Sequence, residues 1–208
     1  MTEYVALATA YLLGSIPFGL LISWLLGGPD LRRTGSGNIG ATNALRSGGL
    51  VAGLSTLALD VGKGAAGYLL AARIAGPPEG WSPWVAGAIV TAPVLGHCLP
   101  VWLRFRGGKG VATAGGVLAV SAPGVLGVAA TAFLALAVPT RYVSLGSIGA
   151  AVAAAIAAIW FEGVSSFSAG IVVVALVVLV RHRENISRLS GGRESRLGRG
   201  AGGEGHGT

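Results

Sequence analysis

The sequence predicts an all-α integral membrane protein with seven transmembrane helices, its N-terminus outside and its C-terminus cytoplasmic. Three observations predict it. Of 208 residues, 52% are hydrophobic and only 11% charged, with a mean hydropathy of +0.71, outside the range of soluble domains. The apolar residues form long runs separated by short polar stretches, and at roughly 20 residues per crossing the chain has room for about seven. The basic residues gather in alternate connections. Little chain remains for a soluble domain, so residues 1–196 are expected to form a single membrane-embedded unit.

The first apolar run, residues 4–26, is long enough to span, and its only early charge is Glu3, where a cleavable signal peptide would carry Lys or Arg. A polar stretch, 30–47, follows. The second run, 50–75, ends at Gly76-Pro77-Pro78-Glu79-Gly80, and the third covers 81–99 before a basic stretch at 104–109. Residues 111–138 are apolar but broken by Ser121-Ala122-Pro123-Gly124, which reads as a tight turn between two short spans, with one kinked span as the alternative. After the polar patch Thr140-Arg141-Tyr142-Val143-Ser144 come two more spans, 145–160 and 167–180, joined through Glu162-Gly163. Residues 197–208 are glycine-rich and expected to be disordered.

Seven crossings place Arg32, Arg33, Arg46, Arg104, Arg106, Lys109, Arg141 and the arginines from Arg181 onward on one side, with Glu79 and Glu162 opposite and Arg73 near one rim of that opposite side. The positive-inside rule makes the basic side cytoplasmic. The net charge of +7 is therefore mostly topology, with some attraction to an anionic lipid surface. No stacking platform or recognition helix accompanies it, so no nucleic-acid partner is expected. The single Cys98 excludes an internal disulfide, and no His, Cys and carboxylate group has metal-ligand spacing, so neither metal nor cofactor is expected.

Two glycine-rich stretches carry the chemistry. Gly35, Gly37 and Gly40 match the dinucleotide pattern G-x-G-x-x-G, but a membrane helix precedes them in place of a strand. What survives is a nest of backbone N–H groups suited to phosphate, with Ser36, Asn38, Thr42 and Asn43 adding hydrogen-bond donors. Gly107-Gly108-Lys109-Gly110 fails the P-loop spacing, yet a lysine among glycines reaches an anion beside exposed amides. Asp60 and Lys63 sit inside the second span at i, i+3, either as a neutralised structural pair or as a functional intramembrane charge. If the last span continues as helix, His182, Asn185 and Arg188 share one face; Ser144 and Ser147 lie toward the same side.

Five runs together resemble the bacterial acyl-phosphate:glycerol-3-phosphate acyltransferases, the PlsY-type family. They are Gly14-Ser15-Ile16-Pro17-Phe18-Gly19, the run from Gly35 to Asn43, Asp60-Val61-Gly62-Lys63-Gly64, Gly96-His97 through Pro100 and Phe105 to Gly107-Gly108-Lys109-Gly110-Val111-Ala112-Thr113, and Arg181-His182 with Asn185-Ile186, Arg188-Leu189, Gly192 and Glu194. The resemblance covers residues 4–196; Trp102 replaces an expected Phe.

The resemblance implies a multi-pass enzyme of the bacterial inner membrane with its active site facing the cytoplasm. It would transfer a fatty acyl group from acyl phosphate to the 1-hydroxyl of sn-glycerol 3-phosphate, giving lysophosphatidic acid and phosphate, the first acylation of phospholipid synthesis. By motif position Ser36, Arg46 and Lys109, with Gly107, Gly108 and Gly110, would hold phosphate. Ser147, His182 and Asn185 would line the glycerol phosphate site, and Asn38, Thr42 and Asn43 would shape the pocket. His182, Lys109, Ser147 and Asn185 are thus the expected catalytic group. The chemistry is consistent, since two phosphate-bearing substrates account for two anion-binding stretches and an activated acyl donor needs no covalent intermediate. Neither His97 nor His182 has the Asp four residues on that acyl-CoA and acyl-carrier-protein acyltransferases use. A transporter or channel for phosphate or phosphorylated solutes is the alternative. It fits less well, because the polar residues collect toward one face and no inverted repeat is visible.

Overall fold

The structure, a computed structural model, describes residues 1–198. Among these, all regular structure is helical. The helices are α1 (Thr2–Gly14), α2 (Phe18–Leu25), α3 (Ala41–Ala75), α4 (Val85–Cys98), α5 (Val111–Ser121), α6 (Pro123–Thr140), α7 (Val143–Glu162), α8 (Ser166–Arg181) and α9 (Arg183–Ser190). Four helical stretches are long and apolar enough to cross a membrane: Thr2–Leu25, Val85–Leu103, Pro123–Thr140 and Val143–Glu162. The pair α8–α9, bent by 55°, makes a fifth when counted as one broken span. Helices are what lipid permits, because every backbone group must be paired within the segment. The glycine-rich tail lies, from residue 199, outside the described residues.

Two elements differ from the pattern read off the sequence. The first apolar run is broken between Gly14 and Phe18, since Pro17 supplies no N–H. At the break the Ile16 carbonyl accepts from Phe18 N–H at 3.0 Å and from the Lys63 ammonium at 2.7 Å. The polar stretch at 30–47 is also only partly loop. Helix α3 starts at Ala41 and is interrupted at Gly49 (φ 83°), a left-handed position that favours glycine. Thr42, Asn43 and Arg46 therefore stand on a helix.

The break at Ala122 is a turn, as expected. Pro123 opens α6 at a helix N-terminus, where its missing N–H is harmless. Helix α5 begins beside Asn185, because Lys109 contacts it, and Ser144, just after α6, meets Glu194, which also binds Asn185. The chain thus leaves this region and returns to it. Gly124, at the turn, lies near Phe161 at the far end of α7.

The helices approach closely through small residues. Gly87 of α4 packs on α8, where a side chain would strike the Ser166 carbonyl, and a side chain on Gly170 of α8 would enter the Gly87 backbone. Gly64 and Gly116 do the same between α3 and α5, against the Thr113 and Val61 carbonyls. With lipid as solvent, such close packing replaces the hydrophobic effect as the source of helix association. Around it Val90, Val94, Val117, Val125, Ala158 and Ile171 form a buried apolar core. Helix α8 starts with a capping box, Ser165 Oγ accepting from Ser168 N at 3.2 Å and Ser168 Oγ from Ser165 N at 3.0 Å.

Candidate active site

The chain ends on one side of the bundle converge on a polar cluster. The Gly107-Gly108 loop follows α4 and is pinned to it, with Gly107 N–H donating to Cys98 O (3.2 Å) and Gly108 N–H to His97 O (3.0 Å). On its other side Arg181 donates from Nη2 to Gly107 O (2.6 Å) and from Nε to Gly108 O (3.0 Å). Gly110, in the left-handed region at φ 85°, then turns the chain into α5. Lys109, carried between them, donates to Asn185 Oδ1.

Asn185 passes the contact on. Its Nδ2 donates to Glu194 Oε1 at 2.7 Å, which also accepts from Ser144 Oγ at 2.8 Å, and Arg188 Nε reaches Glu194 Oε2 at 2.8 Å. Burial pushes the Glu194 carboxyl up, but the three hydrogen bonds outweigh it and hold the group below the usual range. Burial pushes Lys109 down to about 8; the Glu194 charge opposes this and Arg188 adds to it.

His182 occupies the break between α8 and α9. Its N–H is shared between Val178 O and Leu179 O, both at 3.0 Å, so the helix ends there and restarts at Arg183. The last span therefore does not continue straight: α9 is bent by 55° from α8, with His182 at its N-cap ahead of Asn185 and Arg188. The imidazole is 2% exposed, and its Nδ1 lies 2.8 Å from Val178 O. A carbonyl can only accept, so Nδ1 carries the proton and Nε2 is left as an acceptor. Burial lowers the pKa to about 4 despite that carbonyl, with the Lys109 charge contributing, and the ring is neutral at physiological pH.

The first glycine-rich stretch is organised by Asn43. It is 2% exposed and donates to the carbonyls of Asn38 (2.8 Å), Leu31 (2.9 Å) and Thr34 (3.1 Å), while accepting from Ser36 N–H (3.0 Å). All its hydrogen-bonding capacity holds the loop. Asn38 Oδ1 accepts from Gly40 N–H at 2.8 Å, a local turn leading into α3. Ser36 is exposed, and Thr42 is half-buried in the first turn of α3. No hydrogen bond joins Ser36, Asn38 or Thr42 to the Lys109 cluster; the link is Arg46, whose Nη2 donates to Ser195 O at 3.1 Å, next to Glu194.

Ser147 sits at the edge of an apolar cavity of about 330 Å³ between α4, α5, α6, α7 and α8, lined by Leu118, Phe133, Ala151, Val174 and Val178 among others. Its Oγ donates back to Val143 O at 2.9 Å, so the hydroxyl is not an activated nucleophile. Among the described residues no group of three or more His, Cys, Asp or Glu could hold a metal ion.

A second polar cluster lies within the helices. Lys63 Nζ is 2.8 Å from Asp60 Oδ1, with both side chains at most 3% exposed. The Phe18 ring centroid is 5.7 Å from the same ammonium, and His97 Nδ1 is 3.6 Å from Asp60. Neither Arg181 nor Glu194 figures among the site residues expected from the sequence, although both stand in the closing run that carries the resemblance.

A bundle of apolar helices with cations and an acceptor histidine gathered at one end, and an apolar cavity running between the helices, defines a multi-pass membrane protein. Residues 4–192 match the family model described as glycerol-3-phosphate acyltransferase. The chain is 44% identical to a glycerol-3-phosphate acyltransferase of Syntrophotalea carbinolica, over 93% of this chain and 97% of that one. It is 46% identical to one from Laribacter hongkongensis, over 95% and 98%. Its fold matches crystal structures of PlsY, an integral membrane glycerol 3-phosphate acyltransferase. The match to the glycerol 3-phosphate form has a TM-score of 0.86 at 40% identity, covering 95% of this chain and 96% of that one. The match to the lysophosphatidic acid form has 0.83 at 39%, with the same coverage. The chain belongs to the glycerol-3-phosphate acyltransferase family.

Proposed function

We propose that this protein transfers a fatty acyl group from acyl phosphate to the 1-hydroxyl of sn-glycerol 3-phosphate, releasing 1-acyl-glycerol 3-phosphate and inorganic phosphate in the first acylation of phospholipid synthesis. The observation that carries the proposal is an apolar cavity that runs between the helices and reaches Val111, Ser147 and Val178, two residues along the chain from cationic Lys109 and four from His182 with its free Nε2.

The acyl chain occupies the cavity, at about 0.8 kcal/mol per buried CH₂. Lys109 and Arg46 neutralise phosphate oxygens, helped by the N-terminus of α5 behind Gly110. His182 Nε2 accepts a hydrogen bond from the attacking hydroxyl and orients it, while Asn185 holds Lys109 in place. The hydroxyl oxygen bonds to the acyl carbon, the bond from that carbon to the phosphate oxygen breaks, and the hydroxyl proton passes to the departing phosphate. No acyl-enzyme is required, in keeping with Ser147, whose hydroxyl donates to the Val143 carbonyl, and the buried Cys98. Of the two glycine-rich stretches, the first is held by Asn43 and would present Ser36 beside Arg46.

Seven crossings with the N-terminus outside fit this site. Glu3 accepts from Ser82 N–H and Oγ (2.7 and 3.0 Å), placing the N-terminus with the loop around Glu79, away from Lys109. The basic end is then cytoplasmic and the membrane the bacterial inner membrane.

The test compares palmitoyl phosphate, palmitoyl-CoA and palmitoyl-acyl carrier protein with purified protein and glycerol 3-phosphate. The expected result is lysophosphatidic acid and phosphate in equal amounts from palmitoyl phosphate alone. Transfer only from a thioester would overturn the donor assignment. Cysteines near Glu79, Pro123 and Glu162 should label from outside intact cells; labelling near Arg106 or Arg141 would overturn the orientation.

A further inference from the structure

We propose that Arg181 is a positioning residue for this reaction: its guanidinium, by holding the carbonyls of Gly107 and Gly108, fixes Lys109 opposite His182 and Asn185. The inference rests on the assignment of Lys109 to phosphate.

The argument starts from the four peptide groups of the two glycines. Both N–H groups go to the end of α4, at Cys98 O and His97 O. Both carbonyls go to one side chain, Arg181, at 2.6 and 3.0 Å. The loop is pressed against α4: a side chain on Gly107 would strike His97 O and Pro100, and one on Gly108 would strike His97 Nε2. With α4 occupying one side, only a residue on the other can hold the carbonyls. A glycine pair otherwise has the greatest backbone freedom of any dipeptide. Two carbonyls require two donors in fixed relation, which a planar guanidinium supplies and an ammonium does not.

The source of the guanidinium is informative. Arg181 is the last residue of α8, His182 follows it at the helix break, and Asn185, which Lys109 contacts, is one turn further on. One side chain thus ties the loop carrying the phosphate cation to the helix end carrying the hydroxyl acceptor. Both hydrogen bonds given by Arg181 end on backbone carbonyls, so it acts through Lys109. Its charge at the C-terminal end of α8 is also favoured by the helix dipole.

The test is a double-mutant cycle with palmitoyl phosphate and glycerol 3-phosphate, using R181M, K109M and R181M/K109M, each normalised to folded protein by thermal unfolding. R181M should lower kcat/KM for glycerol 3-phosphate ten- to a hundredfold and R181K by less. In the K109M background R181M should cost no more than about threefold, because residues acting as a unit are not additive. A merely structural role would give the same fold-loss in both backgrounds, and that result overturns the proposal, as does near-normal kinetics in R181M. Should R181M fail to fold, R181K and R181Q carry the same cycle. Wild-type kinetics in K109M would remove Lys109 from the phosphate site and take this proposal with it. A poor K109M with additive R181M would overturn the positioning role alone.

Discussion

Lys63 and Lys109 are both lysines withdrawn from water, and their surroundings differ in one respect that decides their use. Lys63 is matched charge for charge. Asp60 lies 2.8 Å away, the Ile16 carbonyl takes a second proton, and the Phe18 ring covers the ammonium. Lys109 meets a neutral amide, Asn185, and the nearby carboxylate, Glu194, is already taken by Ser144, Asn185 and Arg188. The inner lysine is neutralised by its carboxylate partner; the outer one keeps a positive charge that no carboxylate contacts, in the same cluster as His182. Burial alone does not mark a functional lysine. An absent counter-charge does, because an anionic ligand can supply it.

The largest effect should come from breaking the inner pair. Lys63→Met leaves Asp60 charged and uncompensated inside the helices, at a cost of about 3–5 kcal/mol. Thermal unfolding in detergent should show a much less stable protein, and Asp60→Asn added to Lys63→Met should recover most of the loss. Full stability with low activity in Lys63→Met would turn the comparison around and make Lys63 the functional lysine.

Lys109 should show the opposite split. Lys109→Met removes a charge-assisted contact and relieves a burial cost, so stability should hold while kcat/KM falls by about tenfold or more, each 1.4 kcal/mol being tenfold. Arg46→Ala should follow the same pattern. A folded Lys109→Met with normal kinetics would leave the two lysines functionally equivalent.

His182 sharpens the outer half of the comparison. Its depressed pKa makes it a weak base, and the fixed Nδ1 proton makes Nε2 a directed acceptor. His182→Asn or His182→Gln should keep a substantial part of the activity lost in His182→Ala, with a raised KM for glycerol 3-phosphate. Loss as complete as in the alanine variant, with normal glycerol 3-phosphate binding, would make His182 a general base, a role worth about 10²–10⁴ in rate.

The parts legible in the sequence are those imposed by the solvent. Lipid forces long apolar helices, and the turn at Ala122-Pro123 and the Asp60–Lys63 spacing both show in local pattern. Contacts that join distant segments do not. Glu194 reaches Ser144 across fifty positions, and nothing at either residue announces it. Arg181 binds backbone carbonyls, so no partner side chain could have signalled its place. The tautomer of His182 depends on the Val178 carbonyl, available because the helix ends there. The break at Pro17 was within reach, since proline within an apolar run is a local signal; that Lys63 fills it was not.

The smallest effect, and the one that tests the comparison most directly, is a pH dependence. Lys109 is lowered to about 8 mainly by burial, so in the free enzyme it is charged below that pH and neutral above it. Because kcat/KM reports the free enzyme, it should fall as pH rises through about 8, approaching tenfold per unit. A bound phosphate dianion supplies the missing counter-charge and favours the ammonium, so the alkaline limb of kcat should lie at higher pH than that of kcat/KM. No acid limb from His182 should appear between pH 5 and 7, because its pKa is about 4 and the ring stays neutral there. Lys109→Arg is the control: a guanidinium does not titrate in this range, so the limb near 8 should vanish in whatever activity remains. If the limb persists in Lys109→Arg, another group titrates there, and the contrast between a matched and an unmatched lysine loses its functional meaning.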